Sequence, residues 1–339
     1  MKNGYPFFLC LLSLVFFSCQ NEKQTIELNS VNSFTKSAPL SDLIKRVSQN
    51  ETSLDNVLDN TSCFSVKLPV SLTVDSQYVT VTNSAGYETI KDIKDGYSND
   101  DDIVEFNFPI TIVYKNFQEV VISNQAQYNS IFSQCSPDGS LNEITCIDFN
   151  FPISISKYNS NNQVASSITV QNNNQLYNFV NNVDAGEIVG IVYPLTLTKS
   201  NSSTVVVSNN TELETAIESV IGYCNNSGSG SLVLAEVLVS GTWHVSYFYS
   251  DHDETFHYTG YNFNFNTNET CVATKVSTTI NGNWDIQNEG TYQRFYLNYD
   301  GSVLYEMESN WKVLEFSATN IRLKKDSGSE AYYLNFTKN

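Results

Sequence analysis

The sequence has few positive charges. Its 339 residues include 18 Lys and Arg against 36 Asp and Glu, which gives a formal net charge of −18. A nucleic-acid-binding protein presents a basic surface to the phosphates, so we expect no nucleic-acid partner. The acidic residues are scattered, and the densest run is Asp100-Asp101-Asp102. No glycine or distal glutamate follows this run at calcium-loop spacing, so we interpret it as a charged turn.

Histidine is also scarce, and the common catalytic motifs are absent. The chain contains no G-x-S-x-G, H-E-x-x-H or P-loop sequence, and no histidine before His244. A Ser–His or Cys–His nucleophile is therefore excluded from the long region that precedes His244. Paired carboxylates for glycoside hydrolysis stay possible, because acidic residues are plentiful. We expect a protein that is not an enzyme, and rank an envelope hydrolase as the last alternative.

Metal ligands are suggested by Asp251-His252-Asp253-Glu254 followed by His257. The two histidine positions differ by an odd number, which fits neither the i, i+4 pair of a helix nor one face of a strand. We interpret the stretch as a solvated loop and expect neither a metal nor a cofactor.

The apolar stretch Phe7 to Phe17 is too short to span a bilayer. It follows Lys2 and ends in Phe16-Phe17-Ser18-Cys19, which resembles the lipobox of bacterial lipoproteins. We predict a signal peptide over residues 1–19, lipid attachment (palmitate) at Cys19, and an outer-membrane protein that faces the periplasm or the cell surface. An ordinary secretory signal is the alternative. Residues 20–60 are predicted to be a polar tether in which Leu40 to Val47 could form a short helix.

A strand-like motif containing proline occurs four times. Its prolines, Pro69, Pro109, Pro152 and Pro194, are separated by 40, 43 and 42 residues. Positions −5, −3, −1, +1 and +3 from each proline are apolar, which is typical of a half-buried strand. Because proline lacks the N–H that a ladder needs, we expect the motif to mark an edge strand or the bend of a long strand.

Each motif is followed by a second β-branched run, an asparagine and one apolar helical face. In the last three copies Gln127, Gln175 and Glu212 stand three residues after the asparagine, which completes a capping box. The repeated unit is therefore strand, strand, short helix. We predict two modules, over residues 61–136 and 144–225, each an antiparallel sheet of four strands with two helices on its apolar face.

Cysteines bracket these modules. Cys63 and Cys146 each lie six residues before a motif proline, and Cys135 and Cys224 lie in the last predicted helix of each module. We predict disulfides Cys63–Cys135 and Cys146–Cys224, each stabilising its module by about 4 kcal/mol. Cys271 remains free and is expected to be buried rather than reactive.

After a Ser/Gly linker at 226–231, residues 232–339 alternate apolar and polar in short runs, which predicts about eight strands in a barrel or curved sheet. Gly241-Thr-Trp243 is similar to the G-x-W start of lipocalin-like domains, and Trp284 and Trp311 fall where such domains repeat tryptophan. The resemblance implies that Arg322 packs against Trp243 at the barrel floor. Core packing of the tryptophans is the favoured alternative to a ligand pocket.

Residues 36 to 224 resemble a group of Gram-negative lipoproteins, of Bacteroidota type, with paired F-P-[IV]-[ST]-[IV] units before a small β-domain. That resemblance implies architecture and location, and no reaction. We expect a lipid-anchored envelope protein with a binding, display or scaffold role toward an unidentified protein or glycan, held to the membrane through Cys19. The alternative is a carrier of a small apolar ligand in the barrel.

Overall fold

A computed structural model of the chain describes residues 32–96, 103–135, 143–224, 233–290, 292–301, 303–327 and 330–339. The predicted signal peptide, Cys19 and the 226–231 linker lie outside these residues. The fold is mixed α+β: small antiparallel sheets with helices are followed by a closed barrel of eight antiparallel strands. This confirms the expected fold class. None of the described helices is both long enough and apolar enough to cross a membrane.

The segment predicted as a tether is folded from residue 32 onward. It contains strand β1 (Ser33–Phe34) and helices α1 (Pro39–Ser48) and α2 (Asn56–Asp59). Helix α1 starts with proline, has Asp42 in its first turn and has Lys45 and Arg46 in its last, which suits the helix dipole. Its apolar face is buried in the same core as the second module.

The first module contains two copies of the predicted unit, as the bounds of its elements show: β2 (Phe64–Val66), β3 (Val70–Val74), β4 (Gln77–Val81), α3 (Gly86–Asp95), β5 (Val104–Phe106), β6 (Ile110–Tyr114), β7 (Glu119–Ile122) and α4 (Gln125–Gln134). The second module has the same order: β8 (Ile147–Phe149), β9 (Ile153–Tyr158), β10 (Val164–Val170), α5 (Asn173–Asn181), β11 (Val189–Ile191), β12 (Leu195–Lys199), β13 (Thr204–Val207) and α6 (Asn210–Cys224).

Each motif proline separates two strands that belong to different sheets. The peptide bond before it is cis in all four units. In the first module β2 pairs with β6 of the next unit, while β5 pairs back with β3. The second module repeats this exchange, with β8 on β12 and β11 on β9. The expectation of one four-stranded sheet per module is therefore wrong, because a proline cannot donate to the ladder and the run breaks there.

The resulting sheets interlock the two units of each module. The first module has sheets β2-β6-β7 and β4-β3-β5; the second has β13-β12-β8 and β1-β11-β9-β10, to which the N-terminal segment adds β1. Both roles expected for the proline motif are observed. Each proline marks the bend of a long run, and the strands that precede Pro69, Pro109 and Pro152, namely β2, β5 and β8, are edge strands of their sheets.

The capping boxes form as predicted. The Asn124 side chain accepts a hydrogen bond from the Gln127 N–H at 3.0 Å, and the Gln127 side chain accepts one from the Ser123 N–H at 2.9 Å. Asn172 with Gln175 and Asn209 with Glu212 repeat this exchange. Helix α3 of the first unit begins at Gly86 without a side-chain cap, in line with the missing glutamine.

The C-terminal barrel follows helix α7 (Leu234–Val239). Its strands and one short appended strand, β15, are β14 (Thr242–Ser250), β15 (His252–Asp253), β16 (Asn262–Phe265), β17 (Thr270–Lys275), β18 (Thr278–Glu289), β19 (Tyr292–Tyr299), β20 (Ser309–Phe316), β21 (Asn320–Ser327) and β22 (Glu330–Lys338). Each barrel strand pairs with the next, and β14 pairs with β22 to close the ring. A closed ring leaves no free edge.

Candidate functional site

The barrel interior is filled by side chains. Trp243, Trp284 and Trp311 are buried, and their indole N–H groups donate to backbone carbonyls, including Leu238 at 2.8 Å and Met307 at 2.7 Å. Buried phenylalanines pack edge to face between them. This packing favours the core role of the tryptophans over the carrier hypothesis, because large aromatics fill the space that a ligand would occupy.

Gly241 and Trp243 lie at the start of β14 as the lipocalin resemblance implies, but their basic neighbour differs. The Lys338 ammonium lies 6.0 Å from the Trp243 ring centroid, and a Cβ on Gly241 would collide with the Lys338 side chain. Arg322 lies over Tyr333 at 5.6 Å. Since Ile321 and Leu323 belong to the barrel core, the intervening Arg322 points outward from β21.

The cysteines behave largely as predicted. The disulfide Cys63–Cys135 is present and confirms that pairing. Cys146 is also disulfide-bonded; the side chain of its predicted partner, Cys224, lies outside the described residues, so the pairing Cys146–Cys224 stays a prediction. Cys271 is free and buried, and burial raises the pKa of its thiol to about 11, which makes it a poor nucleophile at neutral pH.

Charged side chains are buried where the barrel meets helix α1. Arg46 of α1 donates two hydrogen bonds to Glu315 of β20, at 2.6 and 2.8 Å, and the two side chains are 5 % and 4 % exposed. Burial alone would raise the pKa of Glu315, but Arg46 and then Arg322 outweigh it and hold that pKa below its usual value. Removing one partner of such a buried pair typically costs about 3–5 kcal/mol.

Helix α6 contributes a second carboxylate to this interface. Glu218 accepts a hydrogen bond from Lys324 at 2.9 Å and another from the Tyr333 hydroxyl at 3.3 Å. Arg322 lies between the two carboxylates, with its terminal nitrogens 3.5 Å from Glu315 and 3.8 Å from Glu218. Neither terminal nitrogen forms a hydrogen bond with a described residue, although Arg322 is only 2 % exposed.

An open cleft of about 1340 Å³ borders this interface. Its walls come from α1, from the disulfide-bonded end of the first module and from the outer face of the barrel. Five cationic side chains line it against two acidic ones: Lys36, Lys45, Arg46, Lys115 and Arg322, with Asp42 and Asp253. In a chain of net charge −18, this is a local reversal of sign.

Several polar atoms at the cleft lack partners among the described residues. Besides the two Arg322 nitrogens, these are the Gln49 amide nitrogen and the Asn335 amide oxygen, all of them buried. The Lys45 and Lys115 ammonium groups are half-buried and form no ion pair within the described part of the chain. The Arg322 nitrogens are enclosed between two carboxylates, whereas Lys45 and Lys115 can attract a ligand in the cleft without leaving an ion pair.

Sequence reasoning missed most of this site. Arg46 stands on the apolar face of α1 beside Leu43 and Val47, and a charge at such a position is a signal for a buried ion pair. Glu315 continues the alternation Trp311, Val313 and would be placed in the core. A register irregularity between Val313 and Glu315 instead pairs Glu315 with Arg322, and a bulge of this kind leaves no mark in the sequence.

The loop expected to be solvated contains potential metal ligands. Glu254, His257 and Glu306 each offer a ligand atom, and these atoms lie within 4.8 Å of one another. The spacing argument from the sequence covered His252 and His257, whereas Glu306 comes from the connection between β19 and β20. His252 lies 3.4 Å from Glu254 and is largely exposed.

No protein-family model matches the chain, and no curated protein matches it. Among solved structures, it is similar to a DUF4847 family protein from Bacteroides vulgatus ATCC 8482. The two are 17 % identical, and the match covers 32 % of this chain and 98 % of that protein with a TM-score of 0.25. A similarity at this level carries no functional argument, so the functional proposal rests on the geometry above.

Proposed function

We propose that this chain is a lipid-anchored binding protein of the bacterial cell envelope, without enzymatic activity, whose inter-domain cleft binds a ligand carrying carboxylate or phosphate groups. The observation that carries the ligand class is the charge of the cleft lining, where five cationic side chains stand against two acidic ones, and where Lys45 and Lys115 form no ion pair among the described residues. Ammonium groups bind carboxylate and phosphate oxygens as point charges.

The charges at the rim of the cleft favour an anion over a neutral ligand. In the buried interface the cations Arg46, Arg322 and Lys324 are already balanced by the carboxylates of Glu218, Glu315 and the nearby Glu214. Asp42 is 4.0 Å from Arg46 on the solvent side and is about half exposed. Lys45 and Lys115 add positive charge at the rim. A cleft lined with one sign of charge concentrates ligands of the opposite sign.

The envelope location is supported by the sequence alone. The lipobox-like Phe16-Phe17-Ser18-Cys19 and the resemblance to lipoproteins with paired proline-motif units both favour a lipid anchor at Cys19. A glycan or protein at the cell envelope would then be the natural partner. Anionic sugars and acidic peptides both carry the carboxylate or phosphate groups that we propose the cleft binds.

A binding role fits the lining of the cleft better than catalysis does. Among the described lining residues there is no histidine, and the two cysteines form the Cys63–Cys135 disulfide. The cleft therefore offers fixed donors for binding, without the nucleophile and base that an acyl-transfer enzyme requires.

Calorimetric titration of the full chain tests the proposal. We expect an oligogalacturonate or inorganic phosphate to bind, and a neutral oligosaccharide of the same length not to bind. The double variant Lys45→Gln/Lys115→Gln should weaken binding of the anionic probe about ten-fold or more. Lys94→Gln, on helix α3 away from the cleft, is the control and should leave affinity unchanged.

Two outcomes would overturn the proposal. One is equal binding of the neutral and anionic probes. The other is the absence of an effect of the cleft variants on anion binding. A higher salt concentration should also weaken binding of the anionic probe, because salt screens the attraction between the probe and the cationic side chains.

A further inference from the structure

A second cluster of side chains, on the connections of the barrel, has no role in the cleft. It consists of Glu254 and His257, on either side of the start of a 3-10 helix (Thr255–Tyr258), and Glu306 in the connection between β19 and β20. Two carboxylate oxygens and one imidazole nitrogen lie within 4.8 Å of one another. We propose that these three side chains bind a divalent transition-metal ion, with Zn²⁺ the best match.

The backbone around the cluster is anchored by the barrel core. Tyr258 is 3 % exposed and packs against Phe248 at 4.8 Å between ring centroids. On the other segment, Leu304 and Met307 are buried on either side of Glu306. Two segments about fifty residues apart in sequence are thus fixed next to each other, and the three potential ligands are brought together before any ion binds.

The Glu306 carboxylate is also oriented by its neighbours. The Tyr258 hydroxyl donates to one of its oxygens at 3.2 Å, and the Tyr305 hydroxyl donates to the other at 3.0 Å. Hydrogen bonds to a carboxylate from outside the cluster are typical of the outer shell around a metal ligand. Each oxygen has further lone pairs with which to bind an ion.

No lysine or arginine lies within ion-pair distance of the cluster in the described part of the chain. Lys325 attracts Glu306 from a longer distance, and His252 lies 3.4 Å from Glu254. The ring of His257 contacts Phe256 and makes no hydrogen bond to a described residue. Two neighbouring carboxylates repel each other, and a divalent cation removes that repulsion while using the free imidazole as a ligand.

The kind of donor selects the ion. Calcium and magnesium prefer sites made of oxygen alone, whereas one imidazole with two carboxylates suits a borderline ion such as Zn²⁺. Zinc bonds of about 2.0–2.2 Å require ligand atoms about 3.3 Å apart. The side chains therefore need to close in by about 1.5 Å at most, which the exposed His257 can do by rotation. His252 or water would complete a tetrahedral site.

The test is titration of the metal-free full chain with Zn²⁺ and with Co²⁺, followed by calorimetry and by cobalt absorption. We expect one ion per chain, and a visible cobalt spectrum typical of tetrahedral nitrogen and oxygen ligands. His257→Ala and Glu306→Gln should each weaken binding about ten-fold or more. His244→Ala is the matched control, since His244 lies on β14 and bonds Asn339 instead.

Each alternative result decides against the site. Absence of stoichiometric Zn²⁺ binding by the intact chain would overturn the proposal. So would an equal loss of affinity in His244→Ala and His257→Ala, because the ion would then be bound elsewhere or nonspecifically. Glu306→Gln conserves the shape of the side chain, so a folded Glu306→Gln variant that binds Zn²⁺ as tightly as the parent would also contradict it. None of these outcomes depends on whether the cleft binds an anion.

Discussion

The two modules share strand order, capping and proline exchange, but their cores differ in size. Among the described residues, the first module's core contains 13 buried apolar side chains, while the core shared by the second module and the N-terminal segment contains 24. Helices α3 and α4 each bury a single side chain, Ile90 and Tyr128. Helix α6 alone buries four: Leu213, Ile217, Val220 and Ile221.

About half of the difference comes from what surrounds each module, because the N-terminal segment supplies six of the 24 side chains and helix α2 supplies one of the 13. Helix α1 covers the second module and adds Leu40, Leu43, Ile44 and Val47 to its core. Its sheet also gains strand β1. The first module receives only the short helix α2, which adds Leu58. The two modules therefore have unequal support, and we expect the first module to depend more on its disulfide.

Removing the disulfide of the first module should have the largest effect. In Cys63→Ala/Cys135→Ala the cross-link across 72 residues is lost, and we expect about 4 kcal/mol less stability in that module. Hydrogen exchange should show faster exchange in strands β2 to β7 and little change in β8 to β13. Cys271→Ala, a buried cysteine without a bridge, is the control and should affect the barrel alone. Equal loosening of both modules in the double variant would contradict the comparison.

Shortening a buried side chain of helix α1 should instead destabilise the second module, with a somewhat smaller effect. Leu43 is fully buried in the second module's core, so Leu43→Ala should cost about 3 kcal/mol. Amide hydrogen exchange should become faster in the second module and remain unchanged in the first. Leu54→Ala, at a side chain that is 55 % exposed, should change the free energy of unfolding by less than about 0.5 kcal/mol. A loss of protection confined to the first module would show that α1 does not support the second.

Local patterns predicted the units but not how they interlock. Period-2 alternation, the asparagine caps and the cysteine spacing identified strands, helix starts and Cys63–Cys135, because each depends on residues near in sequence or on repeat position. The exchange of strands at Pro69 and Pro109 was missed, since alternation continues through the proline and partner choice is a long-range property. The closed barrel was one of two predicted forms.

The sites were harder to predict for the same reason. Arg322 was singled out by resemblance and placed at the barrel floor, but the structure turns it outward to Glu218 and Glu315. Glu306 joins His257 because two connections of the barrel meet, and no spacing rule relates residues so far apart. The sequence shows charged residues at positions where apolar periodicity predicts burial, but it does not show which residues they pair with.

The smallest expected effect is a difference in pH dependence between the modules. Asp55 and Asp59, at helix α2 beside the first module, are 1 % and 5 % exposed, and each has one oxygen without a partner among the described residues. Burial raises the pKa of Asp55 to about 7 and that of Asp59 to about 9, the latter increased further by the charge of Asp55. Both carboxyls are therefore protonated in the folded chain at acidic pH.

The direction of the effect follows from proton binding. An aspartate in the unfolded chain has a pKa of 3.8, so between about pH 4 and pH 9 the folded chain binds more protons than the unfolded chain. Stability is then greatest at low pH and falls as pH rises through the folded-state pKa values. We therefore expect the free energy of unfolding of the first module, measured with urea, to fall from pH 5 to pH 8.

Asp59→Asn removes a titrating group while conserving size, and should reduce that loss. Asp95→Asn, on the exposed face of α3, is the matched control and should leave the pH dependence unaltered. The second module should lose less stability, because the raised pKa values of its Asp148 and Glu214 are partly offset by the lowered pKa of its Glu187. A first module that becomes more stable from pH 5 to pH 8 would show that the buried aspartates are ionised in the fold, with a cation or donor to compensate them.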